Sequence, residues 1–305
     1  MQKLNWKNTP YGGQAVLDGV MIKSPNFISI SIRDEKNKIV NETYKFNNFL
    51  SKYKFWKSFF FRGIANMIEM LATGLTSISK SVNMHIEMEE EKLSPWHLFF
   101  TIIVSIGLAL LFFKLLPFGA ATFAKKIFGI TSGFLFNLID AIVKVIILFV
   151  YLLVISLFGD IKTLFMCNGA EHKAVHVWDK FHDIKKLTLK NAKKFTTLHP
   201  RCGTSFLLFV VFVSLLVYLL IPMSAGFWTN YLFRILLLPV IIGLSYEFLK
   251  LTAKHQDFFI MKILMQPGLL MQKISTSAPT DKQLEVALHS LKSAINAQKK
   301  FEEKN

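Results

Sequence analysis

The residues best suited to chemistry are histidines, a cysteine and a carboxylate that lie in two short segments. GAEHKAVH contains Glu171, His172 and His176, and HPRCG contains His199 and Cys202. On a helix, His172 and His176 lie one turn apart on the same face, which lets two imidazoles bind one metal ion. Pro200 keeps His199 out of helical conformation, so His199 and Cys202 can both bend inward from a turn. The pattern predicts a zinc site with four ligands: His172, His176, His199 and Cys202.

Two carboxylates are candidates for the proton acceptor beside such a metal. Glu171 is rotated about 100° from His172 on a helix, so it suits a base or an outer hydrogen-bond acceptor better than a ligand. Glu247 ends an apolar segment on the same predicted side of the membrane. Bound zinc lowers the pKa of its water to about 7, and Glu171 or Glu247 would take the proton.

The same residues also allow a purely structural interpretation. Histidines at helical spacing often satisfy helix ends by hydrogen bonding, and Cys202 before Gly203 can be a small buried residue. The motif is not HExxH, because Lys173 occupies the position of the catalytic glutamate. No nucleotide site is predicted, since GGQAVLDGVM and QPGLLMQ lack phosphate-binding spacings and their glycines are interpreted as turns.

Four apolar segments are long enough to cross a bilayer and would position these residues. A span needs roughly 20 mostly apolar residues. The sequence provides such segments at 97–116, 136–158, 205–222 and 231–248. It therefore predicts a mainly α, polytopic membrane protein with four transmembrane helices, paired as 97–158 and 205–248, and places the histidine segment in a connecting loop at 159–204.

The basic residues predict the orientation of these spans. Of the 36 Lys and Arg residues, 13 lie in 1–96, nine in 159–204 and nine in 249–305, whereas the connections 117–135 and 223–230 carry two and none. By the positive-inside rule, both termini and the histidine loop are cytoplasmic. The formal net charge of +16 then favours anionic lipid headgroups as partners and makes nucleic acid an unlikely one. The two cysteines predict reduced thiols.

The flanking segments predict a small cytosolic β element and interfacial helices. In 1–50, alternation at Ile28, Ile30 and Ile32, followed by an extended segment at 39–46, indicates a hairpin. In 51–96, the segment 55–82 is predicted to be an interfacial or re-entrant helix, followed by an acidic linker. In 249–305, Thr280 and Gln283 have capping-box spacing before an amphipathic helix that needs a partner surface.

The ionisable residues inside the predicted spans include Asp140, Lys144 and Arg234. Asp140 and Lys144 are spaced i, i+4, which predicts an ion pair near the outer boundary. Arg234 is predicted to extend its side chain to the outer headgroups.

Six motifs, in this order, resemble those of the YqhQ-type bacterial membrane proteins. They are GGQAVLDGVMIKSP, RG at Arg62, GAEHKAVH, TLHPRCGTSF, LLLPVIIGLSYE, and QPGLLMQ with LEVAL. That family is catalogued as a domain of unknown function and is often labelled a predicted metal-dependent enzyme. The resemblance implies a multi-pass protein of the bacterial cytoplasmic membrane with a four-span core. Asp18 stands where the family commonly has glutamate.

Two functional hypotheses follow from the sequence. The first is a scaffold or accessory factor that acts through a basic cytosolic face on membrane or lipid-associated machinery, including another membrane protein. The alternative is a membrane-embedded, zinc-dependent hydrolase of a lipid-linked or membrane-proximal substrate. A transporter is the weaker hypothesis, because four spans are few and no inverted repeat is evident. The sequence predicts no oligomeric state.

Overall fold

Helices form most of the fold, and three of them pack against one four-stranded sheet. A computed structural model describes residues 6–7, 9, 11–34, 36–46, 53–59, 61–86, 95–200, 202–222, 224, 226–255 and 258–304. The predicted acidic linker lies outside these residues. The strands are β1 (Gly12–Val16), β2 (Gly19–Lys23), β3 (Phe27–Arg33) and β4 (Ile39–Lys45). The helices are α1 (Phe61–Ile86), α2 (Pro95–Leu110), α3 (Leu116–Phe128), α4 (Gly133–Ile155), α5 (Gly159–Phe181), α6 (Leu189–Ala192), α7 (Gly203–Val217), α8 (Phe227–Leu236), α9 (Leu238–Lys254), α10 (Phe259–Ser275) and α11 (Asp281–Lys304).

Three helical segments in the described part of the chain are long and apolar enough to cross a membrane. They are Ile103–Phe128, Gly133–Ile155 and Gly203–Leu220, and α8 with α9 would make a fourth, bent by 46° between them. The first joins α2 to α3 through a π-helical turn at Leu111–Leu115. It ends twelve residues later than the predicted span 97–116, so the connection before α4 is short. We call α2, α3, α4, α7, α8 and α9 the helix bundle.

The sheet is an antiparallel meander in the order β1-β2-β3-β4, so the hairpin prediction found only its second half. Gly12 and Gly13 were interpreted as a turn, but they lie in β1. A Cβ at Gly13 would stand 1.9 Å from the Met21 carbonyl oxygen, so only glycine lets β1 approach β2 at this point.

Both faces of the sheet are covered. Ile28, Ile30 and Ile32 pack with Met84 of α1 on one face. On the other face, α11 lies against the serines that alternate with them: Ser290 donates to the Ser29 carbonyl at 2.9 Å, and Ser31 contacts His289. The small serines leave room for a helix, so a strand that alternates in polarity is buried on both sides.

The amphipathic stripe of α11 finds its partner within the same chain. Leu284, Leu288, Leu291 and Ile295 are buried in a core with α5 and β2. The predicted cap is confirmed, because Thr280 N–H donates to the Gln283 side chain at 2.8 Å. The two ends of the described chain also meet here, where Trp6 N–H donates to Glu302 at 2.7 Å. We call β1–β4, α5, α6 and α11 the sheet module.

Helix α1 joins the sheet module to the helix bundle. Arg62 donates two hydrogen bonds to Glu247 of α9. Beside this pair, a Cβ at Gly63 would lie 2.8 Å from Tyr246 Cβ, so the two helices touch through their backbones. The predicted helix at 55–82 is therefore present, shifted to Phe61–Ile86, and it is not among the candidate spans of the described residues. Arg62 and Glu69 of this helix do not pair with each other, since Glu69 pairs with Lys23.

Candidate functional site: a histidine and cysteine cluster at the base of α7

The predicted histidines and cysteine come together where the sheet module meets the start of α7. Helix α5 supplies His172 and His176, and the loop between α6 and α7 supplies His199 and Cys202. The ring centroid of His199 lies 5.6 Å from that of His172 and 4.6 Å from that of His176. The helical spacing and the turn at Pro200 thus place the rings as the sequence predicted. We call His172, His176, His199 and Cys202 the histidine cluster.

Gln272 of α10 holds the loop in position. Its side-chain oxygen accepts from the His199 backbone N–H at 2.7 Å, and its side-chain nitrogen donates to the His199 carbonyl at 2.8 Å. The same nitrogen is 2.8 Å from Ser205 Oγ in the first turn of α7. Gln272 is fully buried, so its amide is a rigid clamp on the backbone N–H and C=O of one residue. Gln272 is the last residue of the QPGLLMQ segment, but nothing in the sequence indicated a role for this side chain.

A close helix contact allows this clamp. Gly268 was interpreted as a turn, but it lies inside α10 and packs on Ser205. A Cβ at this position would be 3.1 Å from Ser205 Cα and 2.7 Å from its Oγ. Glycine lets α10 approach α7 closely enough for Gln272, one turn later, to reach His199.

Each histidine of the cluster has a hydrogen-bond acceptor of its own. His172 Nδ1 is 2.5 Å from the Thr197 carbonyl oxygen, and His176 Nε2 is 2.8 Å from that of Leu198. A carbonyl only accepts, so these nitrogens carry the hydrogen and the tautomers are fixed. His199 Nε2 lies 3.4 Å from the Asp179 carboxylate.

His172 and Cys202 form a hydrogen-bonded imidazole and thiol pair. His172 Nδ1 faces Thr197, while its Nε2 lies 3.5 Å from the Glu171 carboxylate. Burial is the largest influence on His172 and would lower its pKa, but Cys202, Glu171 and the Thr197 carbonyl together raise that pKa to about 9. Burial would raise the pKa of Cys202, but His172 and Thr204 lower it. The pair therefore favours a thiolate beside an imidazolium.

The other cysteine has the opposite environment. Cys167 is buried in α5, and burial, with a smaller contribution from Asp18, raises the pKa of its thiol to about 12. One chain thus contains an activated thiol and an inert one.

The two carboxylates named by the sequence are separated in the structure. Glu171 is buried, with its carboxylate 3.5 Å from His172 Nε2. Glu247 instead receives the two hydrogen bonds of Arg62. The next residue, Phe248, packs on Phe209 and Phe212, well into α7. The structure therefore brings Glu171, and not Glu247, to the histidine cluster.

The described residues contain no group of three or more His, Cys, Asp or Glu side chains arranged to hold a metal ion. The histidines meet, but their bonded nitrogens are directed at Thr197, Leu198 and Asp179. One ring nitrogen of each histidine is engaged in this way, and the zinc site stays a prediction.

Comparison with known proteins identifies the family. Residues 59–297 match the family described as "Protein of unknown function (DUF1385)". The chain belongs to this family. It is also similar to the "Uncharacterized protein YqhQ" of Bacillus subtilis (strain 168), with 34% identity over 295 residues, covering 92% of this chain and 90% of that protein. No solved structure matches. The resemblance to YqhQ-type proteins is thereby confirmed, and the family description assigns no activity.

A second polar site lies at the other end of α7, within the helix bundle. Arg234 was predicted to extend to outer headgroups, but only 2% of it is exposed and it bonds Asp140 at 2.9 Å and Asn137 at 2.5 Å. The predicted pair of Asp140 with Lys144 is present at 2.5 Å. We call this group, completed by Lys114, Tyr218 and Asn230, the ionic cluster. The i, i+3, i+7 spacing of Asn137, Asp140 and Lys144 in apolar sequence is the signal that could have indicated one polar face.

Proposed function

We propose that this chain is a multi-pass protein of the bacterial cytoplasmic membrane whose sheet module and termini are cytoplasmic. Support comes from the candidate spans and from the loop before α7, which contacts α5 of the sheet module. The concentration of basic residues in the segments outside the spans favours the same orientation. The contact of Trp6 with Glu302 is consistent with both termini on one side.

At the membrane boundary, we propose that Cys202 acts as a nucleophile with His172 as its acid and base. The observation that carries this proposal is the chain of hydrogen bonds from the Thr197 carbonyl through His172 to Cys202. A nucleophile bonded to a base that a third group orients is the arrangement used in covalent acyl transfer. Cys202 immediately precedes α7, whose first N–H groups lack intrahelical acceptors and can stabilise an oxyanion.

The chemistry is transfer of an acyl group from an ester or thioester held near the bilayer surface. The Cys202 sulfur bonds to the carbonyl carbon as the bond to the leaving oxygen or sulfur breaks. His172 gives its proton to that leaving group. Water then attacks the thioester, His172 takes the proton, and the Cys202 thiolate is restored. Glu171 lies beside His172 and stabilises its charged form.

Acylation by a simple ester tests the proposal. The purified full chain in detergent is mixed with p-nitrophenyl butyrate, and nitrophenol release and acylated peptides are measured. We expect a burst of about one equivalent, with butyrate on Cys202. The Cys167→Ser variant should behave like the wild type, whereas Cys202→Ser and His172→Gln should lose the burst.

Each contrary result has a clear meaning. Wild-type protein without acyl-Cys202, or His172→Gln protein acylated at the wild-type rate, contradicts the proposal. His289→Gln is the matched control, because His289 lies in the same module but contacts Ser31. It should leave the burst unchanged.

A second candidate is the accessory or scaffold role at the membrane surface. One observation favours it: α1 exposes Ile68, Leu71, Leu75 and Ile78, each at least 44% accessible. An amphipathic helix of this kind lies in the headgroup region of a bilayer, where the basic residues would meet anionic lipid. The sequence predicts that the apolar stripe of α11 needs a partner surface. This stripe is already covered by other elements of the sheet module.

Crosslinking from α1 tests this second candidate. A photoreactive residue at Ile68 should capture lipid or one defined membrane protein, while one at Lys282 in α11 should not. Crosslinking of neither lipid nor protein at Ile68 contradicts the role.

A further inference from the structure

The ionic cluster carries more positive than negative charge in a buried setting. Lys114, Lys144 and Arg234 surround the single carboxylate of Asp140 among the described residues. Exposure is 1% for Asp140, 4% for Lys144 and 2% for Arg234. Isolated charges in an apolar bundle are costly, and one carboxylate neutralises only one of three cations.

The hydrogen bonds of the cluster show which cations have donors to spare. Each of the three Arg234 side-chain nitrogens already donates one bond, to Asn230 at 2.9 Å, to Asn137 at 2.5 Å and to Asp140 at 2.9 Å, which uses three of its five donors. In the described part of the chain, Lys144 has one such bond, to Asp140, and Lys114 has one, to the Tyr218 hydroxyl at 2.6 Å. An ammonium group has three donors, so each lysine keeps two.

The Tyr218 ring gathers the three cations around one point. The terminal nitrogens of Lys114 and Lys144 and the guanidinium carbon of Arg234 lie 5.3, 4.8 and 4.3 Å from its centroid. Ring faces attract cations, but a ring carries no net charge and cannot neutralise them. Among the buried described atoms, Asp140 Oδ1 has no hydrogen-bond donor. A second anion would therefore neutralise the excess positive charge, and a hydroxyl group would supply the donor for Asp140 Oδ1.

The backbone is irregular at this place. Lys114 lies in the π-helical turn at Leu111–Leu115, and the 46° bend between α8 and α9 follows Arg234 by three residues. π-helical turns inside helices are frequent at functional sites. Broken helices in bundles are typical of ligand sites within membranes.

Lys114 is the member of the ionic cluster closest to the exposed surface of the helix bundle. It is only partly buried, and its neighbours Leu111, Phe112 and Leu116 are exposed apolar side chains of the bundle surface. Tyr218 lies about 22 Å beyond the start of α7 at 1.5 Å per residue, so this surface is remote from the histidine cluster.

We propose that the ionic cluster binds a phosphate-type anion through the free donors of Lys114 and Lys144. A hydroxyl carried next to that phosphate would satisfy Asp140 Oδ1. The apolar surroundings of Lys114 favour an anion attached to acyl chains over a free one. The site is independent of the acyl-transfer proposal and stands if that proposal fails.

Binding to the delipidated full chain in detergent tests the site. Native mass spectrometry compares phosphatidylglycerol, which has a phosphate and free hydroxyls, with zwitterionic phosphatidylcholine; a separate arm measures inorganic phosphate by thermal shift. We expect at least tenfold tighter binding of phosphatidylglycerol. Lys114→Gln should reduce that affinity at least tenfold, while Lys114→Arg should keep it. Lys126→Gln, which removes an exposed charge from the same continuous helix, should stay within twofold.

The outcomes separate the sources of the ligand. Binding of inorganic phosphate without lipid selectivity, lost in Lys114→Gln, supports a site for a soluble phosphate compound. Wild-type protein that shows no preference for phosphatidylglycerol and no response to phosphate overturns the proposal, whether or not Lys114→Gln folds. Equal losses in Lys114→Gln and Lys126→Gln also overturn it, because they indicate general charge attraction.

Discussion

Replacement of Gly268 by alanine tests how helix packing supports the histidine cluster. The added Cβ would lie 3.1 Å from Ser205 Cα, a backbone atom that cannot rotate away. Carbon atoms pack at about 3.5–4.0 Å, so α10 and α7 must separate by about 0.4–0.9 Å. The clamp distances of 2.7 and 2.8 Å between Gln272 and His199 would then reach about 3.1–3.7 Å, at the limit of a hydrogen bond.

The energetic size of this change follows from two opposing effects. Overpacking of this kind costs about 1–3 kcal/mol. Alanine for glycine in a helix interior contributes up to about 1 kcal/mol in the other direction. Gly107→Ala is the matched control, since nothing lies within 4 Å of its Cβ position in α2. The two variants should therefore differ in free energy of unfolding by about 1–3 kcal/mol, with Gly268→Ala the less stable.

Reversible unfolding in a denaturing detergent measures this difference, and alkylation of Cys202 by iodoacetamide measures the effect on the cluster. We expect the alkylation rate at pH 7 to change in Gly268→Ala and to stay at the wild-type value in Gly107→Ala. Equal stability of the two variants, together with unchanged alkylation in both, would refute the reasoning about the α7 and α10 contact.

Three further predictions concern other parts of the molecule. Leu291→Ala removes a fully buried side chain between α11 and α5 and should lower the free energy of unfolding by about 2–5 kcal/mol, measured by the same unfolding assay. Thr280→Ala removes the hydroxyl that accepts from the Gln283 N–H at 3.5 Å and donates to the Gln283 side chain at 2.9 Å, and should cost about 0.5–2 kcal/mol, whereas Lys282→Ala, in the first turn, should cost less than about 0.5 kcal/mol. Treatment with a zinc chelator should leave the rate of Cys202 alkylation within twofold; acceleration by tenfold or more would instead favour the zinc prediction.

The sequence predicted elements well where periodicity is long and apolar. The candidate spans fall close to the predicted segments, and the α11 stripe and its cap are confirmed. The first half of the sheet was missed because Gly12 and Gly13 carry no strand signal. The close approach of β2 requires glycine at Gly13, and only the paired structure reveals that approach.

The site was predicted as a set of residues but not as a set of bonds. Helical spacing placed His172 and His176 on one face, and Pro200 placed His199 opposite them. Which nitrogen of each ring bonds which acceptor depends on Thr197 and Leu198, whose carbonyl groups have no sequence signature. Gln272 was missed for the same reason, because its partner is a backbone peptide.

Arg234 illustrates why a single polar residue is hard to place from sequence. The sequence gives its distance from the end of the apolar segment, which suggested an extended side chain at the lipid surface. Whether the Arg234 side chain is buried depends instead on whether neighbouring helices place hydrogen-bond acceptors at the same depth in the helix bundle. Asn137 and Asp140 do so from α4.

The pH profile of Cys202 alkylation tests the central claim most directly. An ordinary thiol with a pKa near 9.0 loses about tenfold in rate for each pH unit below that value, as its thiolate is protonated. Because His172 lowers the pKa of Cys202, we predict that its alkylation rate falls by clearly less than tenfold per pH unit from pH 9 to pH 7, and that His172→Gln restores the tenfold dependence. Cys167, with its pKa near 12, should stay at least about 30-fold slower at pH 7, even after allowing for its more nucleophilic thiolate. A profile for wild-type Cys202 that falls tenfold per unit, and that His172→Gln leaves unchanged, would contradict the account.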